Sequence, residues 1–181
     1  TGTLTEGKPR LTNVIPLNNF DEYELVQLVL EVESLSNHPL ARAIVKDLKN
    51  GYKIETKNKV SKINALQGKG LSAIYYGKEV LIGNSKLMQD SSITVNEMVL
   101  SQMKLLLENG HTVMIVAYKR EIVGLISVMD VPRKAAAETL KRLKSMGIKQ
   151  MIMLTGDHQN VGNAIAKQIG LTAVKGNLLP E

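Results

Sequence analysis

The stretch Met151-Ile152-Met153-Leu154-Thr155-Gly156-Asp157 decides the fold class of this chain. Residues 149–154 form a largely apolar run, typical of a strand buried in a parallel sheet. The run leads directly into a hydroxyl, a glycine and a carboxylate. Glycine lets the main chain approach a ligand closely, and hydroxyl and backbone N–H groups can hold an anion. The pattern predicts a phosphate-binding loop at the end of a buried strand.

Helical patterns lie on both sides of this strand. Before it, Asp130 can cap a helix with Pro132 in its first turn and Gly147 at its end. After the loop, a second apolar-periodic segment ends at Gly170. The order helix, strand, loop, helix predicts a doubly wound α/β domain, in which ligands bind at the carboxyl ends of the strands.

A second stretch of the same chemistry opens the chain, Thr1-Gly2-Thr3-Leu4-Thr5-Glu6-Gly7. It again combines hydroxyls with glycine beside a strand-like segment. Two such loops in one chain indicate a site that handles a phosphoryl group.

The middle of the chain has a different pattern, with strands of alternating character and short turns. Three helices are predicted. The first covers 21–35, the second covers 39–48 and stops at Asn50-Gly51, and the third begins at a Thr94–Glu97 capping box and ends at Gly110. The predicted strands are 53–64, 70–76, 79–82, 111–118 and 122–128. We therefore predict a mainly antiparallel α+β domain over residues 17–127. It is inserted into an α/β domain made of residues 1–16 and 128–181.

Composition narrows the function classes. The 181 residues contain no cysteine, which excludes disulfides and thiolate metal sites. The apolar runs are far shorter than the roughly 20 residues that span a bilayer. The net charge of +6 comes with only six aromatic residues and no basic block, so nucleic acid is not an expected partner. The charge does fit an anionic nucleotide.

The most specific local string is Glu33-Ser34-Leu35-Ser36-Asn37-His38-Pro39-Leu40. With the two phosphate-type stretches, it resembles the heavy-metal-transporting P-type ATPases of the haloacid-dehalogenase superfamily. Their phosphorylation loop reads Asp-Lys-Thr-Gly-Thr and their nucleotide segment Ser-Glu-His-Pro-Leu, so Asn37 replaces the commoner Glu. The resemblance covers essentially the whole chain.

The resemblance implies a set of site residues and two cofactors, ATP and Mg²⁺. The implied catalytic residues are Thr1, Thr3, Thr155, Gly156 and Asp157, with the Thr1 carbonyl also ligating Mg²⁺; the implied nucleotide-binding residues are Glu33, His38, Gly68, Gly70, Gly83 and Asn84. From the residues alone, His38 could instead be a helix cap and Gly68-Lys69-Gly70 a plain turn. The role of His158, where the family more often has Asn, is open.

The implied activity belongs to a larger pump. ATP phosphorylates an Asp just before Thr1, and this drives a metal ion across the membrane. The implied partners are nucleotide and the pump's transmembrane and actuator domains, which makes this chain a cytoplasmic part of a cell-membrane protein. We expect the chain alone to be soluble, because none of its apolar runs is long enough to cross a bilayer. Because that Asp is not among the 181 residues, we also expect it to bind nucleotide without turnover. The overall resemblance leans to zinc, cadmium or cobalt over copper, but the ion stays open.

Two alternatives remain at this point. A soluble haloacid-dehalogenase phosphatase with residues 17–127 as its cap would share both phosphate-type loops, although the His38-Pro39 string counts against it. A non-catalytic interaction module would need neither loop to act and need not bind ATP.

Overall fold

The computed structural model describes residues 2–178, which divide into two compact units. Among these residues, the terminal unit comprises 2–9, 104–112 and 129–178, and the central unit comprises 10–103 and 113–128. Within residues 2–178, every helix is too short or too polar to cross a membrane.

The central unit is built on one sheet of six strands, whose order in space differs from their order in the chain. The strands are β1 (Arg10–Pro16), β2 (Val60–Leu66), β3 (Gly70–Tyr75), β4 (Lys78–Gly83), β5 (Thr112–Tyr118) and β6 (Glu121–Met129). Their order across the sheet is β1-β6-β5-β4-β3-β2, and β2 to β5 pair antiparallel with one another in succession. The predicted mainly antiparallel character of this region is confirmed.

Two helices form the core of the central unit with this sheet. Helix α1 (Glu22–Glu33) confirms the predicted helix; Asp21 caps its start, and the helix is buried from Leu25 to its end. Helix α2 (Pro39–Tyr52) buries only one stripe of its surface. A helix that is buried on nearly all sides is normally apolar on all sides. The buried polar residues near the end of α1, Glu31 and Glu33, are therefore unusual.

The predicted stop of α2 and start of β2 are wrong. The helix runs through Asn50-Gly51, and Lys53 takes the left-handed cap; β2 begins only at Val60. Between them the Glu31 carboxylate, on α1, accepts hydrogen bonds from the backbone N–H groups of Lys57 and Lys59. Backbone groups that bind a buried side chain need no strand partner, so this segment does not enter the sheet.

The region after β4 differs from prediction in two further places. A short helix, α3 (Ser85–Asp90), was not predicted. Helix α4 (Glu97–Glu108) is capped by Asn96 and not by Thr94, because the Asn96 side chain accepts from the Val99 N–H at 2.9 Å. The ending at Gly110 and the turn between β5 and β6 are as predicted.

The terminal unit has the predicted order of helix, strand, loop and helix. Its elements are α5 (Lys134–Ser145), β7 (Ile152–Leu154), α6 (Gln159–Ile169) and β8 (Ala173–Lys175). Strands β7 and β8 pair in parallel, and the two helices form a small apolar core with Met151 and Met153. Gly147 and Gly170 follow the helices in left-handed conformations, which glycine adopts without a steric penalty.

Two predictions fail around β7. The strand is three residues long, and Ile152 and Leu154 are exposed, so the continuous buried strand over 149–154 is wrong. Asp130 does not cap α5, which starts only after Arg133. Instead the Asp130 carboxylate accepts from the Lys8 N–H, and Pro132 forms a β-bridge with Thr5. Tertiary pairing with the first loop has replaced the local cap.

Candidate functional site

The first phosphate-type loop is held by its own threonine and by an arginine. The Gly2 N–H donates to the Thr5 hydroxyl at 2.9 Å, and Thr5 is buried. The Arg133 guanidinium donates to the carbonyls of Gly2 at 2.8 Å and Thr3 at 3.0 Å. A planar fork on two successive carbonyls fixes the loop. Thr3 itself is exposed, and Thr1 lies outside the described residues.

Sequence reasoning missed Arg133 and the true role of Asp130. One oxygen of Asp130 accepts from Lys8, whereas the other is buried with no hydrogen-bond partner among residues 2–178. The only sequence signal was the string Asp130-Val131-Pro132-Arg133, which also fits a helix start. The partners are more than 100 residues away in the chain, which no local pattern indicates.

The second loop is closed by a hydrogen bond between its own side chains. The Thr155 hydroxyl donates to the Asp157 carboxylate at 2.9 Å and accepts from the Asp157 N–H at 3.1 Å. A Cβ on Gly156 would lie 3.0 Å from the Leu178 carbonyl oxygen. The loop is therefore tightly packed, and the carboxylate of Asp157 holds it from within.

The first loop and the strand that leads into the second loop come together in the terminal unit. A shallow cavity of about 350 Å³ is lined by Thr3, Leu4 and Thr5 on one side and by Ile152, Met153 and Leu154 on the other. The second loop follows β7 directly. The structure thus brings two stretches from opposite ends of the sequence to one place, as a joint phosphoryl site requires.

Both histidines of interest cap helices. The Nδ1 of His38 accepts from the Leu40 N–H at 3.2 Å at the start of α2, and the Nδ1 of His158 accepts from the Asn160 N–H at 3.3 Å at the start of α6. In a neutral ring, this bond puts the proton on Nε2. His38 is exposed, so its capping role is compatible with an Nε2–H donor directed at a ligand.

Glu33 is the most perturbed carboxyl group of the central unit. It ends α1 and is only 5% exposed. Burial raises the pKa of Glu33 to about 7. Its side chain has no hydrogen bond or ion pair among residues 2–178, and its oxygens are not completely sealed from solvent. A buried carboxyl group without a partner, titrating near neutrality, is a functional-site candidate.

The four remaining nucleotide candidates lie around one turn. The Asn84 side chain donates to the Gly68 carbonyl at 2.9 Å and accepts from the Leu87 N–H at 3.1 Å. Its backbone N–H donates to the Lys69 carbonyl at 2.9 Å. Asn84 therefore joins the β2–β3 turn to α3, and both ends of its amide already have internal partners.

The two strand glycines have a packing reason of their own. Gly70 and Gly83 are paired across β3 and β4. A Cβ on Gly70 would lie 2.1 Å from the Ile82 carbonyl oxygen, and one on Gly83 would lie 2.1 Å from the Lys69 carbonyl oxygen. Neither position accepts a side chain with or without a ligand. Gly68 differs, because it has open space around it and a φ of +70°.

The nucleotide candidates thus form two groups in the central unit. Glu33 and His38 flank the α1–α2 connection, and the glycines and Asn84 surround the β2–β3 turn. No hydrogen bond or ion pair between described residues joins the two groups. Their common role in binding one ligand stays a prediction.

The described residues do not make a magnesium site by themselves. Within residues 2–178, no three His, Asp or Glu side chains cluster closely enough to hold a metal ion, whereas Mg²⁺ requires several oxygen ligands in near-octahedral geometry. The candidate ligand Thr1 lies outside these residues. No step proposed below passes through the ion.

Comparisons with known proteins identify the family of this chain. A model of the haloacid dehalogenase-like hydrolase family matches residues 1–179. A copper-exporting P-type ATPase of Bacillus subtilis (strain 168) is 38% identical over 182 residues, which is 100% of this chain and 22% of the relative. This chain therefore spans about a fifth of that relative.

Two solved structures match nearly the whole chain. A crystal structure of a zinc-transporting PIB-type ATPase superposes with a TM-score of 0.72 at 33% identity, over 99% of this chain and 28% of that one. The catalytic domain of the CPx-ATPase CopB-B gives a TM-score of 0.65 at 25% identity, over 98% and 58% respectively. The chain belongs to the haloacid dehalogenase-like hydrolase family, and over its whole length it is homologous to the catalytic region of heavy-metal-transporting P-type ATPases.

Proposed function

We propose that this chain is the ATP-binding and phosphorylation region of a heavy-metal-transporting P-type ATPase. The observation that carries the proposal is a cavity of the terminal unit that the first loop lines together with strand β7, the strand that leads into the second loop, in a chain homologous to such pumps throughout. In the whole protein, ATP would phosphorylate the Asp expected just before Thr1. The resulting acyl phosphate divides hydrolysis into two steps, and transport is coupled to them.

The terminal unit supplies the groups that hold the transferred phosphoryl group. Phosphoryl transfer needs positioning and charge stabilisation more than covalent help. Thr3, Thr155 and Gly156 offer hydroxyl and backbone donors, and Asp157 keeps the second loop in shape. Arg133 fixes the first loop through its carbonyls, and its positive charge favours an anion nearby.

The central unit supplies the nucleotide site. The catalytic domain of CopB-B changes conformation upon nucleotide binding, which supports the same ligand here. The Nε2–H of His38 can donate to a purine, and Glu33 can accept from an exocyclic amine, which would give this carboxylate a partner that residues 2–178 do not supply. Gly68, Gly70 and Gly83 would present bare backbone to the same ligand, and Asn84 would contact it beside them.

The proposal includes the boundaries of the two domains and their location in the cell. Residues 17–127 would be the nucleotide-binding domain, and residues 1–16 with 128–181 the phosphorylation domain. Both would lie on the cytoplasmic side of a membrane, joined to transmembrane and actuator domains. Copper and zinc both occur among the relatives, so the transported metal ion is left open.

A polypeptide made of these 181 residues alone should bind ATP and not hydrolyse it, because the nucleophilic carboxylate is not among them. Titration calorimetry with ATP measures the first half, and a phosphate-release assay measures the second. Steady release of phosphate would contradict the role given to the missing Asp. Absence of ATP binding would contradict the nucleotide site.

An experiment on the full-length protein can distinguish a pump from a soluble phosphatase and from an interaction module. Incubated with ATP, a pump should form an acyl phosphate that hydroxylamine removes, and the amount should depend on the transported metal. A soluble phosphatase would instead hydrolyse simple phosphate esters without binding ATP tightly. An interaction module would form no phosphoenzyme at all.

A further inference from the structure

We propose that Lys69, between the two glycines of the β2–β3 turn, contacts the phosphate chain of the bound nucleotide. This inference rests on the proposed function and adds a residue to that site. Its basis is an ion-pair cluster beside the proposed nucleotide site, in which the Asp90 carboxylate pairs with both Lys69 and Lys86.

Lys69 shares a single carboxylate with a second lysine. Its ammonium lies 2.7 Å from Asp90 Oδ2, and the ammonium of Lys86 lies 2.8 Å from Asp90 Oδ1. The cluster therefore carries one net positive charge. Both lysine side chains are substantially exposed, at 43% and 60%, so an anion can reach them.

The backbone under Lys69 is rigid although its side chain is exposed. The Lys69 N–H donates to the Leu66 carbonyl, and the Lys69 carbonyl accepts from the Asn84 N–H, both at 2.9 Å. The clasp between Asn84 and Gly68 closes the other side of the turn. The lysine therefore starts from a defined position between glycines whose bare backbone is proposed to face the nucleotide.

Exchange of Asp90 for phosphate is energetically easy here. An exposed ion pair contributes little to stability, so its loss costs little. Lys86 stays on Asp90 after Lys69 leaves, so no carboxylate is left without a cation. A phosphate chain carries more negative charge than one carboxylate and forms strong charge-assisted hydrogen bonds. Binding of the polyphosphate thus favours the exchange.

The test compares ligands that differ only in phosphate number. The 181-residue chain and its Lys69→Met variant are titrated calorimetrically with ATP, ADP, AMP and adenosine at low salt. Loss of a charge-assisted contact should weaken ATP binding roughly tenfold and leave adenosine within about twofold. Lys78→Met is the matched control, since it removes the same charge at the opposite end of the β3–β4 hairpin, and it should change neither.

A second variant covers the case in which Lys69→Met disturbs the turn. Asp90→Asn frees both ammonium groups and should tighten ATP binding by about two- to threefold without affecting adenosine, and the gain should shrink as salt rises. Circular dichroism and thermal melting establish that each variant is folded.

The outcomes separate this inference from the proposed function. If Lys69→Met binds all four ligands like the unchanged chain, or weakens ATP and adenosine equally, Lys69 only ties the turn to α3 and the inference is overturned. In that case nucleotide binding by the unchanged chain still supports the proposed function. If the unchanged chain binds none of the four ligands, both proposals fail.

Discussion

The α1–α2 connection and the second phosphate loop both place an acidic residue before a histidine that caps a helix, but the two carboxylates differ in their hydrogen bonding. In each, an acidic residue precedes a histidine whose Nδ1 caps a helix: Glu33 and His38 in the central unit, Asp157 and His158 in the terminal unit. Asp157 accepts a hydrogen bond from the Thr155 hydroxyl, whereas Glu33 is buried with no partner among the described residues. A satisfied carboxylate supports a loop, and an unsatisfied one is available to a ligand.

The largest effect we expect concerns the pH dependence of stability. Because the pKa of Glu33 is raised in the folded chain from 4.5 to about 7, the folded state holds a proton there that the unfolded state has lost. This stabilisation is fully present below about pH 4.5 and is lost as pH rises through about 7. The unfolding free energy should fall by roughly 2–3 kcal/mol across this window, on the basis of the size of the pKa shift.

Urea titrations at several pH values measure this dependence, and Glu33→Gln is the control. The variant cannot ionise, so its stability curve should lack the fall between pH 4.5 and 7. Asp157→Asn should leave that fall in place. If Glu33→Gln follows the same pH curve as the unchanged chain, Glu33 already has a partner in solution and the contrast between the two regions is lost.

The next effect concerns the satisfied carboxylate. Thr155→Val keeps the size of a buried side chain and removes the hydroxyl that Asp157 accepts from. We expect a loss of about 1–2 kcal/mol in unfolding free energy, within the range found when a partly buried polar group loses one hydrogen-bond partner. Ser101→Ala, which removes an exposed hydroxyl bonded within α4, should change stability by less than about 0.5 kcal/mol.

Thermal or urea unfolding measures both variants. An equal, small effect of Thr155→Val and Ser101→Ala would mean that the internal bond of the second loop does not stabilise it.

The smallest effects distinguish the two capping histidines. His38→Ala and His158→Ala should each lower stability by about 1 kcal/mol, because each removes a cap. Only His38→Ala should also weaken ATP binding to the 181-residue chain. Calorimetry on both variants at one pH compares them directly. Equal ATP affinity in the two variants would show that His38 is a cap and nothing more.

Local patterns predicted those parts of the fold whose causes lie within a few residues. Helix α1, the glycine endings of α4, α5 and α6, and the two tight hairpin turns all follow from side-chain and backbone chemistry at the site itself. The strand predicted from residue 53 failed because Glu31 captures the backbone of Lys57 and Lys59 from another element. A periodicity of two cannot reveal that competition.

In the candidate site, too, features with a local cause were predicted and features with a long-range cause were not. The positions of the two loops, of the Gly68–Gly70 turn and of the histidine string were identifiable from the residues they contain. Arg133 was missed because a long-range pair with the carbonyls of Gly2 and Thr3 has no local signature. The structure also gave Gly70, Gly83 and Asn84 internal packing and hydrogen-bond roles, which compete with the ligand role predicted for them.

The sequence by itself determined the chemistry of this protein: which loops can hold phosphate, which glycines permit turns, and which family the motifs resemble. These properties depend on residue type and short spacing alone. Only the tertiary structure decided which groups stay unsatisfied. Within the part of the chain that the structure describes, the largely buried carboxyl of Glu33 has no partner, whereas Glu31, two residues earlier, binds a loop. That difference comes from packing between distant segments, because the cost of burying a charge depends on what surrounds it.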